Sequence, residues 1–334
     1  MCKKHFGVSD FDKKTSVDDN TIFRLASMTK PITAVAILLL IDRGEISLET
    51  PVKTILPQFE DIHIISEQGV DLGVTKTDVT IMHLLTHTSG FGSTKPHNMT
   101  AEDKKTIKNT IDYFVKAGLD FEPFTKQAYS GYAAFDVLAA VVEKITGQDY
   151  EEFLQSEIFA PCNMNNTTFI PTESQQRRII TMHNKIQEKN CIGATVDGCV
   201  FENFPYRHKL AGAGLVSTLT DYSNFAQMLL NKGKISKKQI ISEDTFNLLC
   251  VPYVPYEIMP GNERWGLGVR VVTSENHKYL PIGSYGWSGA YGTHFWCDYE
   301  NNISAVYMKN SKVDGGAYNK SACRFEKAVY DAMI

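Results

Sequence analysis

The chain has 334 residues, 43% of them hydrophobic and 22% charged, with a formal net charge of −4. That length and apolar content allow a sizeable core in one or two domains, and the acidic balance argues against a nucleic-acid partner, which would call for a basic excess. The longest apolar run is about half of the roughly 20 residues a spanning helix needs, so no membrane span is expected.

The N-terminus, MCKKHFGVSD, has no apolar signal core, which as it stands predicts a cytoplasmic protein; a true start further upstream would turn this into an exported one. Seven cysteines (2, 162, 191, 199, 250, 297, 323) are an odd number without C-x-x-C spacing and read as thiols in a reducing compartment. Residues 6–25 read as a strand end, a polar loop and a lead into a helix. Ser27, Met28, Thr29 and Lys30 then form an S-x-x-K motif at the head of Ile32 to Ile41, apolar nearly all round except Thr33. Asp42, Arg43 and Gly44 supply a polar exit and a C-cap glycine. Residues three apart share a helix face, so the Ser27 hydroxyl and the Lys30 amine are expected to meet at the first turn. A serine needs a base beside it to attack, and a lysine becomes one when burial lowers its pKa.

Residues 45–79 read as loop-rich. A helix start follows at 80–86, and a charged amphipathic helix at 101–119 with Ile107, Ile111, Phe114 and Val115 on one face. Tyr129 and Ser130 precede one or two helices over 133–160. The stretch 161–210 is irregular and polar. Helices are expected at 218–231, with Thr220 or Asp221 near its start, and at Ser242 to Leu249. Alternating patterns at 265–273, 293–298 and 303–309 predict antiparallel strands, and 317–334 a closing helix. Trp287, Ser288 and Gly289 read as a Gly-rich turn before a strand.

The order S-x-x-K, then Tyr129-Ser130, then Trp287-Ser288-Gly289 is that of serine β-lactamases and penicillin-binding proteins. The chain resembles the class C β-lactamase and family VIII carboxylesterase group. FRLASMTKPITAVAILLLIDRGEISLETPV (23–52), TIMHLLTHTSGF (80–91), YSGYAAFDVLAAVVEKITG (129–147), AGAGLVSTLTDYSNFAQMLLNKG (211–233) and WSGAYGTHFWCDYENNISAVYMKN (287–310) carry the likeness. It implies an α/β fold of the α+β type: an antiparallel sheet flanked by helices, with an inserted mostly helical domain. Residues 1–26 and 211–334 would carry the sheet, and 27–210 the helical part, with the site in the cleft between them. It implies Ser27 as nucleophile, Lys30 and Tyr129 as proton carriers, and the backbone N–H groups of Ser27 and Ala290 as the oxyanion hole. Either a phenol whose pKa is lowered by the lysine or a neutral lysine would serve as base. Gly131, Trp287, Ser288, Gly289 and Tyr291 would line the substrate site, and the stretch 161–210 would cover it.

Two departures bear on substrate. Lactamases of this group commonly carry Asn where this chain has Gly131, and Lys where it has Trp287. Tryptophan cannot pair with the carboxylate of a penicillin, and Trp in that place resembles the esterases. The expected activity is therefore hydrolysis of carboxylic esters through a Ser27 acyl-enzyme, the partner being a small-molecule ester or amide, with no cofactor. The alternatives are β-lactamase, D-amino-acid peptidase or penicillin-binding activity, or an idle binding scaffold. Phe91, Tyr132, Tyr291, Tyr253 and Trp265 are candidates for an apolar acyl pocket or for plain core.

Other motifs carry less. His83 and His87 are four apart but have no H-E-x-x-H glutamate or third ligand, so no metal is expected, and His87 reads as a loop cap. Gly286 to Ala290 is near G-x-S-x-G but does not open a helix, which makes Ser288 a weak nucleophile candidate. Gly212 and Gly214 suggest a phosphate loop but lack the following Lys-Ser/Thr. Asn98 and Asn166 head glycosylation sequons, which count only after secretion. Family members usually carry a helix and two strands ahead of residue 6. Their absence here predicts an open sheet edge, which a second copy would pair with to form a homo-oligomer, the C-terminal helix (317–334) would cover, or residues upstream of the given start would fill.

Overall fold

The computed structural model describes residues 2–10, 14–92, 99–186, 191–194 and 209–333. The pocket cover expected in 161–210 falls partly, and Asn98 and Cys199 wholly, outside them.

Helix α1 (Thr29–Asp42) is buried at every position from Thr29 to Leu40. An all-apolar helix has no face for water and becomes core. Its two threonine side chains are satisfied inside. Thr33 Oγ1 donates to Ala211 O at 2.6 Å, and Thr29 Oγ1 accepts from Leu215 N–H at 3.2 Å. Gly44, at φ +71°, ends the helix as expected, with its N–H on Ile41 O and that of Glu45 on Leu40 O. Helix α2 (Ile107–Ala117) buries Ile111 and Phe114 and is capped by Thr106; it is shorter than the predicted 101–119. Helix α3 (Ala133–Thr146), closed by left-handed Gly147, packs against both α1 and α2. The loop-rich 45–79 contains a small hairpin, His63–Ile65 with Asp71–Val74.

Strand β1 (Ile22–Arg24) pairs antiparallel with β2 (Val216–Thr218), which leads into helix α4 (Leu219–Leu230). Thr220 and Asp221 lie in the first turn of α4, as expected, and its cap is Thr218, whose hydroxyl accepts from Asp221 N–H. The main sheet follows, in the order β3 (Glu263–Trp265), β4 (Arg270–Val272), β5 (Tyr285–Ser288), β6 (His294–Asp298), β7 (Ile303–Tyr307), antiparallel throughout. Helix α5 (Lys320–Asp331) closes the described chain.

Both faces of β5 and β6 are covered, which is why every residue of each is buried. On one face Tyr285 OH donates to Leu229 O of α4 at 3.0 Å, and Phe295 packs edge-on against Tyr222. On the other, Tyr330 OH of α5 donates to Asp298 at 2.7 Å, and Phe325 packs on Trp296. Two strand expectations are corrected. The run 265–273 is two strands, β3 and β4, reversing at Gly268. There φ is +71°, and an added Cβ would fall 2.8 Å from Ala34 of α1. Trp287 and Ser288 lie in strand β5, not in a turn; only Gly289 leaves it. Strand β7 is an edge, paired only with β6 among the described strands.

No helix among the described residues is long and apolar enough to cross a membrane.

Candidate active site

Ser27 lies in a one-turn 3-10 helix, Ala26–Met28, between β1 and α1, and is partly exposed. Ala26 before it is held at φ +48°, a conformation that costs a non-glycine residue energy and survives only where its surroundings enforce it. Those surroundings are visible. Leu25 N–H donates to Leu215 O, Tyr222 OH to Met28 O, and Thr293 Oγ1 to Leu25 O at 3.0 Å. A Cβ on Gly289 would sit 2.1 Å from Thr293 Oγ1 and 2.3 Å from Leu25 O. Glycine there lets the nucleophile turn lie directly on the end of β5.

Lys30 is fully buried. Its Nζ donates to Gly131 O and Gly212 O, each at 2.8 Å, and lies 4.9 Å from the Tyr129 ring centre. Burial pulls its pKa down to about 7, against the opposing pull of buried Asp136. A neutral amine has two N–H donors and one lone pair. Two carbonyls therefore satisfy it and leave the lone pair for an incoming proton. Gly212 makes this arrangement possible, since a Cβ there would fall 2.7 Å from Gly131 O and 3.2 Å from Nζ.

Of the two bases left open by the sequence, the surroundings of Tyr129 favour the lysine. Burial pushes the Tyr129 phenol up to about 12, although Ser27, Trp287 and Arg270 each act to lower it. Trp287 Nε1 donates to Tyr129 OH at 3.3 Å. Trp265 stacks on Tyr129 at 5.9 Å and meets Trp287 edge-on at 4.6 Å. Behind them His87 is buried at φ +58°, with Tyr129 and Trp265 within 4.6 Å of its ring centre. Its Nδ1 accepts from Ser130 N–H at 3.1 Å, and burial, Lys30 and Arg270 hold its pKa well below the ordinary value. His83 completes a capping box with Thr80. Each histidine thus has a structural post.

Tyr129 links the predicted residues: it interacts with Ser27, Lys30 and Trp287, Lys30 reaches Gly131, and Gly289 lies against the turn that carries Ser27. Ala290 is exposed just beyond Gly289. Tyr291 joins Ala26, Met182, Leu210 and Ala213 in a small apolar cluster with Tyr132 alongside. Ser288 is directed elsewhere: its Oγ is 2.8 Å from His294 Nδ1 on the α5 face of the sheet. Phe91 packs with Phe59 and Phe114 in the helical core.

The Beta-lactamase family model matches residues 2–322. The chain belongs to this family. Its fold is the β-lactamase/transpeptidase-like one, that of a broad group of serine hydrolases. It is 28% identical over 327 residues to Protein Rv1367c of Mycobacterium tuberculosis (strain ATCC 25618 / H37Rv), covering 90% of this chain and 80% of that one. It is 34% identical over 182 residues to Esterase EstB of Burkholderia gladioli, covering 51% and 44%. Among solved structures it resembles EstCE1, a hydrolase with promiscuous acyltransferase activity, at TM-score 0.80 and 22% identity, over 97% of this chain and 88% of that one.

Sequence reasoning missed two contributors. Gly212 had a visible signal, a G-x-G pair without the rest of a phosphate loop. Arg270 had none. Its guanidinium lies 4.8 Å from the Trp265 ring and 5.4 Å from Trp287, and its charge acts on both Tyr129 and His87.

Proposed function

We propose that the chain hydrolyses carboxylic esters through an acyl-enzyme on Ser27. The observation that carries this reading is Lys30, buried, bonded to two carbonyls, and drawn down to about 7. In its neutral form Lys30 takes the Ser27 proton, directly or through Tyr129, as Oγ attacks the ester carbonyl. The Lys30 ammonium then returns that proton to the departing alkoxide through the Tyr129 hydroxyl, which gives one proton as it receives another and so remains a phenol. The N–H groups of Ser27 and Ala290 receive the oxyanion, each such donor being worth roughly 10²–10³ in turnover. Water then releases the acid by the same steps in reverse.

Trp287 favours an uncharged substrate. It fills the place beside Tyr129 with an indole N–H and an apolar face, where a carboxylate-binding site would need a cation. Likeness to Esterase EstB supports the same choice. Lactamase, D-amino-acid peptidase or penicillin-binding activity is the second reading, favoured by the family and by likeness to Penicillin-binding protein 4* of Bacillus subtilis (strain 168), 27% identical over 92% of this chain.

The test is labelling with a fluorophosphonate and peptide mapping, beside turnover of a nitrophenyl ester. The native chain is expected to carry an adduct on Ser27, and Ser27→Ala to lose most of its ester turnover while keeping its melting temperature. Undiminished ester turnover in Ser27→Ala would refute the reading.

A further inference from the structure

The far face of the sheet holds a second serine with its own histidine and carboxylate. Ser288 and His294 are direct cross-strand partners on β5 and β6, so their side chains stand side by side on the α5 face. Ser288 Oγ is 2.8 Å from His294 Nδ1, and His294 Nε2 is 2.9 Å from Glu326 Oε1 of α5. All three are at least nine-tenths buried, with Ser288 at 4%, His294 at 8% and Glu326 at 6% exposure. With Glu326 ionised and the His294 ring neutral, one proton arrangement satisfies the row. The Nε2–H donates to the carboxylate, and Nδ1 accepts from the serine hydroxyl. That is the serine–base–carboxylate order of an activated nucleophile, with the two ring nitrogens exchanged relative to the usual triad.

The row does not face solid core. Ser288, His294 and Glu326 line a cavity of about 240 Å³ between the sheet and α5, which excludes Ser27, Lys30 and Tyr129. Arg270 lines it too. Its Nη1 is paired with Glu263 at 2.8 Å, while its buried Nε has no hydrogen-bond partner among the described residues. Tyr279 and Leu280 add apolar surface.

We propose that Ser288, His294 and Glu326 form a second, separate nucleophilic centre that takes acyl groups from small neutral esters entering this cavity. Ser288 Oγ bonds to the ester carbonyl carbon, its proton passes to His294 Nδ1, and Glu326 holds the resulting imidazolium. Arg270, which lines the same cavity, supplies the positive charge for the developing oxyanion. The carbon–alkoxide bond then breaks, and the alcohol leaves with the proton from His294. Water hydrolyses the acyl-serine by the same route. A row serving only to pin α5 to the sheet would have the same hydrogen bonds but no reactivity, and the test separates the two.

The full chain carrying Ser27→Ala is treated with diisopropyl fluorophosphate at pH 8, a probe compact enough for the cavity. Ser288 Oγ displaces fluoride at phosphorus, and its proton leaves with the fluoride. One diisopropylphosphoryl group is expected, mapping to Ser288, and none in Ser27→Ala/Ser288→Ala. In Ser27→Ala/His294→Gln and Ser27→Ala/Glu326→Gln, checked for an unchanged circular dichroism spectrum, labelling should slow by about 10² or more, the usual worth of a positioned base. An unlabelled Ser288 in Ser27→Ala, or labelling as fast without His294, overturns the proposal. The mapping keeps the two readings apart. An adduct on Ser27 alone in the native chain refutes only this one, and an adduct on Ser288 alone refutes only the Ser27 nucleophile.

Discussion

Gly212 offers its carbonyl oxygen to Lys30 Nζ at 2.8 Å, across 182 residues of chain, in a place that no side chain could share. The segment 211–215 is fixed to α1 by Thr29 and Thr33, and to α3 through Asp136, whose Oδ1 accepts from Ala211 N–H at 2.9 Å. The amine therefore sits in a rigid backbone cradle formed by two distant segments. Gly212→Ala would push its Cβ to 2.7 Å from Gly131 O. One of the two carbonyls must then move off the lysine. A displacement of this size can cost on the order of 10² in rate. We expect kcat/KM for a nitrophenyl ester to fall 10- to 100-fold with little change in KM. Unaltered kinetics would show that the cradle does not set the position of the base.

The pH dependence follows from the direction of the Lys30 shift. Its pKa is lowered to about 7, so the amine is charged below that pH and neutral above it. The base is the neutral form. Activity should therefore rise about tenfold per unit as pH increases towards 7, and level off above it. Tyr129, at about 12, is still a phenol on that plateau. His87 adds no step near its ordinary pKa, because burial and two nearby cations keep it neutral there. Lys30→Arg keeps a charge that cannot be lost and should reduce turnover by about 10³ or more at every pH. A profile of kcat/KM against pH from 5 to 10 decides it, and a limb centred near 10 would count against Lys30 as base.

How much of this is legible in the chain depends on the range of the forces involved. Helix α1 is legible because a run from Ile32 to Ile41 with one polar member has no alternative to burial, and Gly44 marks its end locally. Ser27, Lys30 and Tyr129 are legible through motif order. Strand β5 is not. Gly286 and Gly289 punctuate it as a turn would, and only pairing with β6 and cover on both faces reveal an extended segment. The Tyr129 pKa is also hidden, because it depends on the aromatic wall of Trp265 and Trp287, drawn from 136 and 158 residues away. Ser288, His294 and Glu326 cannot be connected from sequence at all, since α5 places the carboxylate. The reversal at Gly268 is set by the close approach of Ala34, which no local pattern encodes.

His87 gives a prediction about stability. Its Nδ1 is the acceptor for Ser130 N–H, and its ring fills the space between Tyr129, Phe135 and Trp265. His87→Ala would leave that N–H buried without a partner, at a cost of about 1–3 kcal/mol, and open a cavity besides. It would also relieve nothing at Lys30, since a neutral ring exerts no charge. We expect a melting temperature lower by several degrees, together with a loss of turnover as Tyr129 loses its support. His87→Asn keeps a short acceptor and should recover part of the stability. Equal losses in both variants would mean that ring packing, not the hydrogen bond, is what holds Ser130.

Trp287 offers the sharpest test of substrate class. Its indole donates to Tyr129 OH and packs against Trp265, so it contributes both a hydrogen bond and apolar surface. Trp287→Phe keeps most of the surface and removes the N–H. A neutral hydrogen bond is worth about 0.5–1.5 kcal/mol net, so ester turnover should stay within roughly tenfold of the native value. Trp287→Lys does the opposite. It gives up the aromatic contacts and places an ammonium beside Tyr129, where a positive charge favours the phenolate and can pair with a substrate carboxylate. Ester kcat/KM should fall, while that for a chromogenic cephalosporin should hold or rise. The ratio of the two is expected to move at least tenfold towards the cephalosporin, equivalent to about 1.4 kcal/mol of discrimination. Both variants need a folded-state check by circular dichroism, since a buried tryptophan is being replaced. An unchanged ratio in a folded Trp287→Lys protein would remove Trp287 as the determinant of substrate class and leave Gly131 as the departure to test next.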